Sequence, residues 1–165
     1  MTFVELIKTI AFGIPIGITI IDVVGYVARV DGISMQPALN PESGKDHDYV
    51  FLKKRKDFSR GDVVALYSPR DKDQKLIKRV IALEGDTVKS LTYKQPVVTI
   101  PVGHCWVEGD NASNSMDSNL FGPIAVACLT ATATAIVWPP SRWQFVRSFV
   151  PEHRLPENFR LKAGE

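Results

Sequence analysis

Ser34 stands in Gly32-Ile33-Ser34-Met35-Gln36-Pro37, one hydroxyl between a flexible glycine and a rigid proline. A serine that attacks a carbonyl must hold its backbone at an angle that exposes Oγ, and Gly before it with Pro after it restricts the path of the chain. By itself such a hexapeptide is an ordinary turn after a strand. Nucleophilic chemistry also needs a base. Lys78 lies in Leu76-Ile77-Lys78-Arg79-Val80-Ile81-Ala82-Leu83, and at a strand period of two its same-face neighbours are Leu76, Val80 and Ala82, all apolar. An ammonium among hydrocarbon loses solvation, so its pKa falls from about 10.4 toward the roughly 7 to 8 that suits a general base. Arg79 is then expected on the opposite face, solvated or paired away from the base. Taken alone, a lysine on an amphipathic strand is surface charge. His47, His104 and His153 compete for the same role, and triads assemble from distant residues in any chain order, so spacing leaves His104 with Asp110 open. Nothing around His104 has the pattern of a hydrolase motif.

Further stretches join these two. Gly61-Asp62-Val63-Val64 precedes Lys78, Glu84-Gly85-Asp86 follows it, and Gly109-Asp110-Asn111-Ala112-Ser113-Asn114-Ser115-Met116-Asp117-Ser118-Asn119 comes later. In this order, from about residue 27 to residue 123, they resemble the type I signal peptidase family of membrane-anchored Ser/Lys proteases. Ser34-Met35-Gln36-Pro37 with Leu39-Asn40-Pro41, Asp117-Ser118-Asn119 with Phe121-Gly122-Pro123, and Trp138-Pro139-Pro140 are similar to the branch of that family found in the mitochondrial inner membrane.

The resemblance implies Ser34 as nucleophile, Lys78 as general base, Ser115 as the hydroxyl that orients the lysine amine, and Asp117 as a stabilising rather than reacting carboxylate. Composition alone reads the segment 109–115 as a polar, turn-rich loop. Two departures stand out. Many bacterial members carry Ser or Thr where this chain has Gly32, and Arg where it has Asn119, so the oxyanion is left to backbone N–H, that of Ser34. The fold implied is mainly β, a signal-peptidase-like barrel or sandwich with one N-terminal transmembrane helix. The function implied is removal of hydrophobic sorting or signal segments from precursor polypeptides at the intermembrane-space face of the mitochondrial inner membrane. A related second catalytic subunit and membrane lipid are the other partners, and no cofactor or metal is expected. The alternatives are a non-catalytic anchored β-domain that scaffolds a protease complex and a leader peptidase acting alone.

The elements that must position these residues follow from patterning. With 45% hydrophobic and 23% charged residues the chain reads as one globular domain with an appendage, and a net charge of +2 gives no reason to expect nucleic acid. Residues 9–28 are apolar apart from Asp22, and about 20 helical residues reach the roughly 30 Å of a bilayer core. The uncharged part, residues 9–21, is short enough to be a buried core helix, an interfacial helix or a signal-peptide hydrophobic region instead. Lys8 and Arg29 flank the run evenly, so charge gives no orientation. Beyond Gly25 come apolar, β-rich runs at 26–30, 48–52, 63–67, 76–83, 87–91, 105–108 and 129–138, separated by Gly, Pro, Asn and Asp. The expected division is an anchor at 1–24, a catalytic domain at 25–140, and a C-terminal helix and tail at 141–165. Lys53-Lys54-Arg55-Lys56 reads as a solvated loop or a contact with anionic headgroups. Cys105 and Cys128 form no CxxC and no cysteine metal site; a disulfide between them is unforced, and Cys105 reads as a buried thiol.

Overall fold

The computed structural model describes residues 2–41, 47–55 and 57–157, the side chains of 16–22 excepted. The chain begins with helix α1, Phe3–Val23. Thr2 and Glu5 close a reciprocal cap at its start, with Glu5 N–H donating to Thr2 Oγ1 at 3.3 Å and Thr2 N–H to Glu5 Oε2 at 2.9 Å. Every side chain described from Phe3 to Pro15 is exposed, Phe3 at 76% and Phe12 at 71%. Among the described residues no helix is long and apolar enough to cross a membrane. The expected span, 9–28, includes residues 16–22, whose side chains lie outside the described ones. Its last part is not helical, because β1 begins at Gly25.

The rest is antiparallel sheet. Its strands are β1 (Gly25–Arg29), β2 (Tyr49–Lys53), β3 (Val63–Tyr67), β4 (Lys75–Leu83), β5 (Thr87–Lys89), β6 (Val97–Thr99), β7 (His104–Glu108), β8 (Ile124–Ala125), β9 (Leu129–Trp138) and β10 (Gln144–Phe145), with a one-turn helix α2 (Ser118–Phe121) before β8. Eight strands form one sheet in the order β1-β2-β9-β3-β4-β7-β8, with β10 on β9, while β5 and β6 pair as a hairpin. β9 holds the sheet together because its long Ala/Thr alternation pairs with β2, β3 and β10. Bulges in its pairings with β2 and β3 curl the sheet.

The curl divides the apolar side chains into three groups. Val30, Met35, Leu39, Val50, Leu52, Val63, Ala65, Ala131, Ala133 and Ile136 fill one, between β1, β2, β3, β9 and the loop that carries Ser34. Val64, Leu66, Val80, Cys105, Val107, Ile124 and Leu129 fill the opposite face. Ile81, Ala82, Val88, Val98, Ile100 and Trp106 seal the hairpin against β4 and β7. A bulge between Val80 and Ala82 separates Lys78 from Ala82. Lys78 therefore shares its face with Leu76 and Val80, while Ala82 turns to the hairpin group, one strand neighbour fewer than the simple alternation predicts. In residues 141–157 the described structure holds β10 and 3₁₀ turns at Pro140–Arg142 and Glu152–Arg154, and the residues after Glu157 lie outside it. Both cysteines are free, and burial pushes the Cys105 thiol up to about 12, helped by the charge of Cys128.

Candidate active site

The turn that presents Ser34 is nailed down from both sides. Met35 and Leu39, 1% and 0% exposed, drive it into the first apolar group, and Leu39 N–H donates to Met35 O at 2.9 Å. Gly32 sits at φ +89, a left-handed conformation that glycine adopts without strain. Asn40 closes the loop by donating from Nδ2 to Val30 O at 2.8 Å and to Gly32 O at 2.9 Å. Asn40 also exchanges two bonds with the buried Asp48, its N–H to Oδ2 at 2.7 Å and Asp48 N–H to its Oδ1 at 2.8 Å. Arg142 then neutralises Asp48, Nε to Oδ1 at 2.8 Å and Nη2 to Oδ2 at 2.9 Å. From across the site Asn111 N–H donates to Ser34 O at 3.0 Å and Asn111 Nδ2 to Ile33 O at 3.2 Å.

β4 brings two cations to this turn. Lys78 Nζ lies 2.7 Å from Ser34 Oγ and donates to Ile77 O at 3.0 Å. The residue is 3% exposed, and desolvation lowers its pKa from 10.5 to about 8, against the smaller raising effect of the Asp117 charge. An amine at that value is substantially neutral near pH 8 and carries a lone pair within reach of a hydroxyl proton.

Arg79 takes the second of the two positions expected of it, solvated or paired away from the base. It is 1% exposed and lies fully bonded inside the protein. Its Nε and Nη2 fork onto Asp110 Oδ1 and Oδ2 at 2.7 and 2.6 Å, and its Nη1 donates to Gly61 O at 2.8 Å and Arg147 O at 2.9 Å. The Phe149 ring covers the guanidinium at 4.4 Å. Asp110 is thereby taken, and His104 Nδ1 lies 2.9 Å from Val102 O instead, so the His104–Asp110 alternative has no geometry behind it.

The loop from Gly109 to Asp117 closes the site. A Cβ on Gly109 would overlap Ser115 Oγ and the Ser34 carbonyl oxygen, so glycine is what lets this loop lie against the nucleophile's backbone. Asp117 holds the loop shut, accepting from Gly109 N–H at 2.9 Å and Asn119 N–H at 3.0 Å. Ser115 Oγ is buried with no hydrogen-bond partner among the described residues. The structure thus brings Ser34 and Lys78 into contact, packs Ser115 against Gly109, and puts Asp117 under the same loop.

Asn119, one of the two departures from the bacterial pattern, donates from Nδ2 to Asp117 Oδ1 at 3.2 Å and to Glu108 Oε1 at 3.0 Å. The cation comes from the tail, as Arg154 forks onto Glu108, Nε to Oε2 at 2.8 Å and Nη2 to Oε1. Sequence reasoning missed Asn40, Asp48, Asn111, Glu108, Arg142 and Arg154. Their partners meet only on folding, across 8 positions for Asn40 and Asp48 and 94 for Asp48 and Arg142.

A groove of about 450 Å³ leads away from the pair, floored by Ala28, Val30, Leu52, Ala65 and Ile77 and flanked by β1 and the first half of β4. β1 is an edge of the sheet, and β4 pairs with β7 only from Arg79 onward, so both flanks expose unpaired backbone to the groove. An extended chain can add to either edge.

The family described as signal peptidase, peptidase S26, matches residues 3–94 and 89–138. The chain is similar to mitochondrial inner membrane protease subunit 2 of Mus musculus, 48% identical over 156 residues, 92% of this chain and 87% of the relative. It is 50% identical over 147 residues to the protein of that name from Homo sapiens, covering 87% of this chain and 84% of the relative. It is 33% identical over 142 residues to mitochondrial inner membrane protease subunit 1 of Homo sapiens, with 82% of each chain covered.

Proposed function

Because the chain belongs to the signal peptidase family, peptidase S26, we propose that it is a membrane-attached serine endopeptidase of the mitochondrial inner membrane that cuts hydrophobic sorting segments from precursor polypeptides. The observation that carries this reading is the 2.7 Å approach of Lys78 Nζ to Ser34 Oγ at the head of an open-edged groove. In the neutral form Lys78 takes the Ser34 proton as Oγ bonds to the scissile carbonyl carbon. The oxyanion forms beside the Ser34 backbone N–H. The resulting ammonium returns its proton to the leaving amine as the C–N bond breaks, and Lys78 then deprotonates the water that hydrolyses the acyl-enzyme ester. Ser115 accepts a hydrogen bond from the neutral amine and keeps its lone pair on Ser34. Its buried, unpartnered hydroxyl beside the Ser34 backbone is what supports that role. Asp117 serves by holding the loop.

Residues 1–24 attach residues 25–140, the catalytic unit, to the membrane, and Arg142 and Arg154 brace that unit. The apolar side chains of α1 exposed from Phe3 to Ile14 support this attachment. Lys53, paired with Gly25 where the helix joins the sheet, puts a basic residue at the same end. The names of the relatives, two subunits of one protease, support a complex with a related catalytic subunit. The catalytic unit then faces the intermembrane space. Cleavage of a precursor by purified full-length protein, compared with Ser34→Ala and run with and without the related subunit, tests the reading. Product formation that depends on Ser34 is expected, and equal cleavage by both chains would refute it. Carbonate extraction tests the attachment, since release of the full chain at high pH would show that α1 does not embed in the bilayer.

A further inference from the structure

Resting on that reading, the groove carries information about which precursors it accepts. β1 to β2, β2 to β9, β9 to β3 and β3 to β4 each reverse direction, so β1 and β4 run parallel and both point toward the Ser34–Lys78 pair. At its other end the groove leads to Gly25, where α1 joins. A hydrophobic segment removed from a precursor lies before the scissile bond and stays at the membrane, so the residues preceding that bond fill the groove. Ile77 packs on the groove floor, and at period two Lys75 points the same way, about 10 Å behind Lys78 along the strand.

There the Lys75 ammonium lies over two phenol rings, 5.6 Å from the centroid of Tyr26 on β1 and 5.5 Å from that of Tyr67 on β3. The contact reaches across the gap between the groove's two flanks. Arg29, the other cation besides Lys78 that lines the groove, stands at its Ser34 end and is already paired with Asp31 at 2.9 Å. Among the described residues Lys75 has no ion-pair partner. An ammonium held by ring faces keeps its charge and its hydrogen-bonding capacity for a ligand. We propose that Lys75 is a specificity-determining residue that selects precursors with a Glu or Asp side chain three or four residues before the scissile bond.

The test separates binding from cleavage. In full-length Ser34→Ala protein, a fluorescent Ala/Ser host peptide with a single Glu, Gln or Lys walked along it is titrated by anisotropy. Glu should bind roughly 3- to 10-fold more tightly than Lys at one position, a ratio that shrinks as salt rises. Adding Lys75→Glu should invert the ratio, and Lys75→Met should bring it near one. Equal binding of the Glu and Lys peptides, or a ratio that Lys75→Met leaves unchanged, overturns the proposal. Lys75 is exposed, and Lys75→Gln with a circular dichroism check guards against a folding defect. Wild-type protein that shows the charge preference yet cuts no precursor counts against the protease reading alone.

Discussion

Lys78 and Arg79 are consecutive cations on one strand, both nearly inaccessible to water, and the protein treats them in opposite ways. Arg79 faces a carboxylate, two carbonyls and an aromatic ring, so its charge is fully compensated. Lys78 faces a hydroxyl, one carbonyl and hydrocarbon, and the Asp117 charge offsets only the smaller part of its desolvation. Burial with partners locks a charge in place, and burial without them pushes the group toward its neutral form. The alternation of a strand is what lets one segment do both.

The largest expected effect lies on Lys78 and Ser34. Ser34→Ala, Lys78→Ala and Lys78→Arg should each lower precursor cleavage by at least roughly 10³-fold while the protein stays folded. Arg is the sharper test, because it keeps the charge but does not deprotonate. Turnover by Lys78→Arg would mean that the base lies elsewhere. Next comes Ser115→Ala, expected to reduce kcat by roughly 10- to 1,000-fold with little change in KM. Full activity in that variant would reduce the loop to a structural turn. Asp117→Ala should instead lower thermal stability before activity per folded molecule, because it removes the acceptor for two buried backbone N–H groups.

In stability the neighbours should part in sign. Arg79→Met leaves Asp110 without its partner and should cost about 3 to 5 kcal/mol in denaturant unfolding. For Lys78 the folded pKa, about 8, lies below the unfolded value of 10.5. Its burial therefore opposes folding by about 3 kcal/mol below pH 8, and the penalty fades between about pH 8 and 10.5 as the unfolded chain also loses the proton. Lys78→Met should accordingly be inactive and more stable than wild type at neutral pH, with the gain vanishing toward pH 10.5. Equal destabilisation by both variants would break the contrast.

How much of this could be read beforehand follows the same divide. The longer strands were legible because alternation and turn residues mark each locally, while β6, β8 and β10 are two- or three-residue pairings that leave no periodicity. Lys78's apolar surroundings were visible from its own strand. Its partner, 44 positions away, came into view only through resemblance to a family. Arg79's partners lie 31, 18 and 68 positions away, and nothing local announces them. The Asp48–Arg142 clasp spans 94 positions and was illegible for the same reason. The apolar character of α1 was legible as composition, whereas whether it crosses the bilayer depends on length and on residues 16–22 together.

The most direct test of Lys78 as the base is the pH dependence of kcat/KM for one precursor peptide, which reports ionisations of the free enzyme. A base that must be neutral predicts a rise of one decade per pH unit on the acid side and a plateau above about pH 8. An inflection near 6.5, where an unperturbed histidine titrates, would contradict the assignment of Lys78.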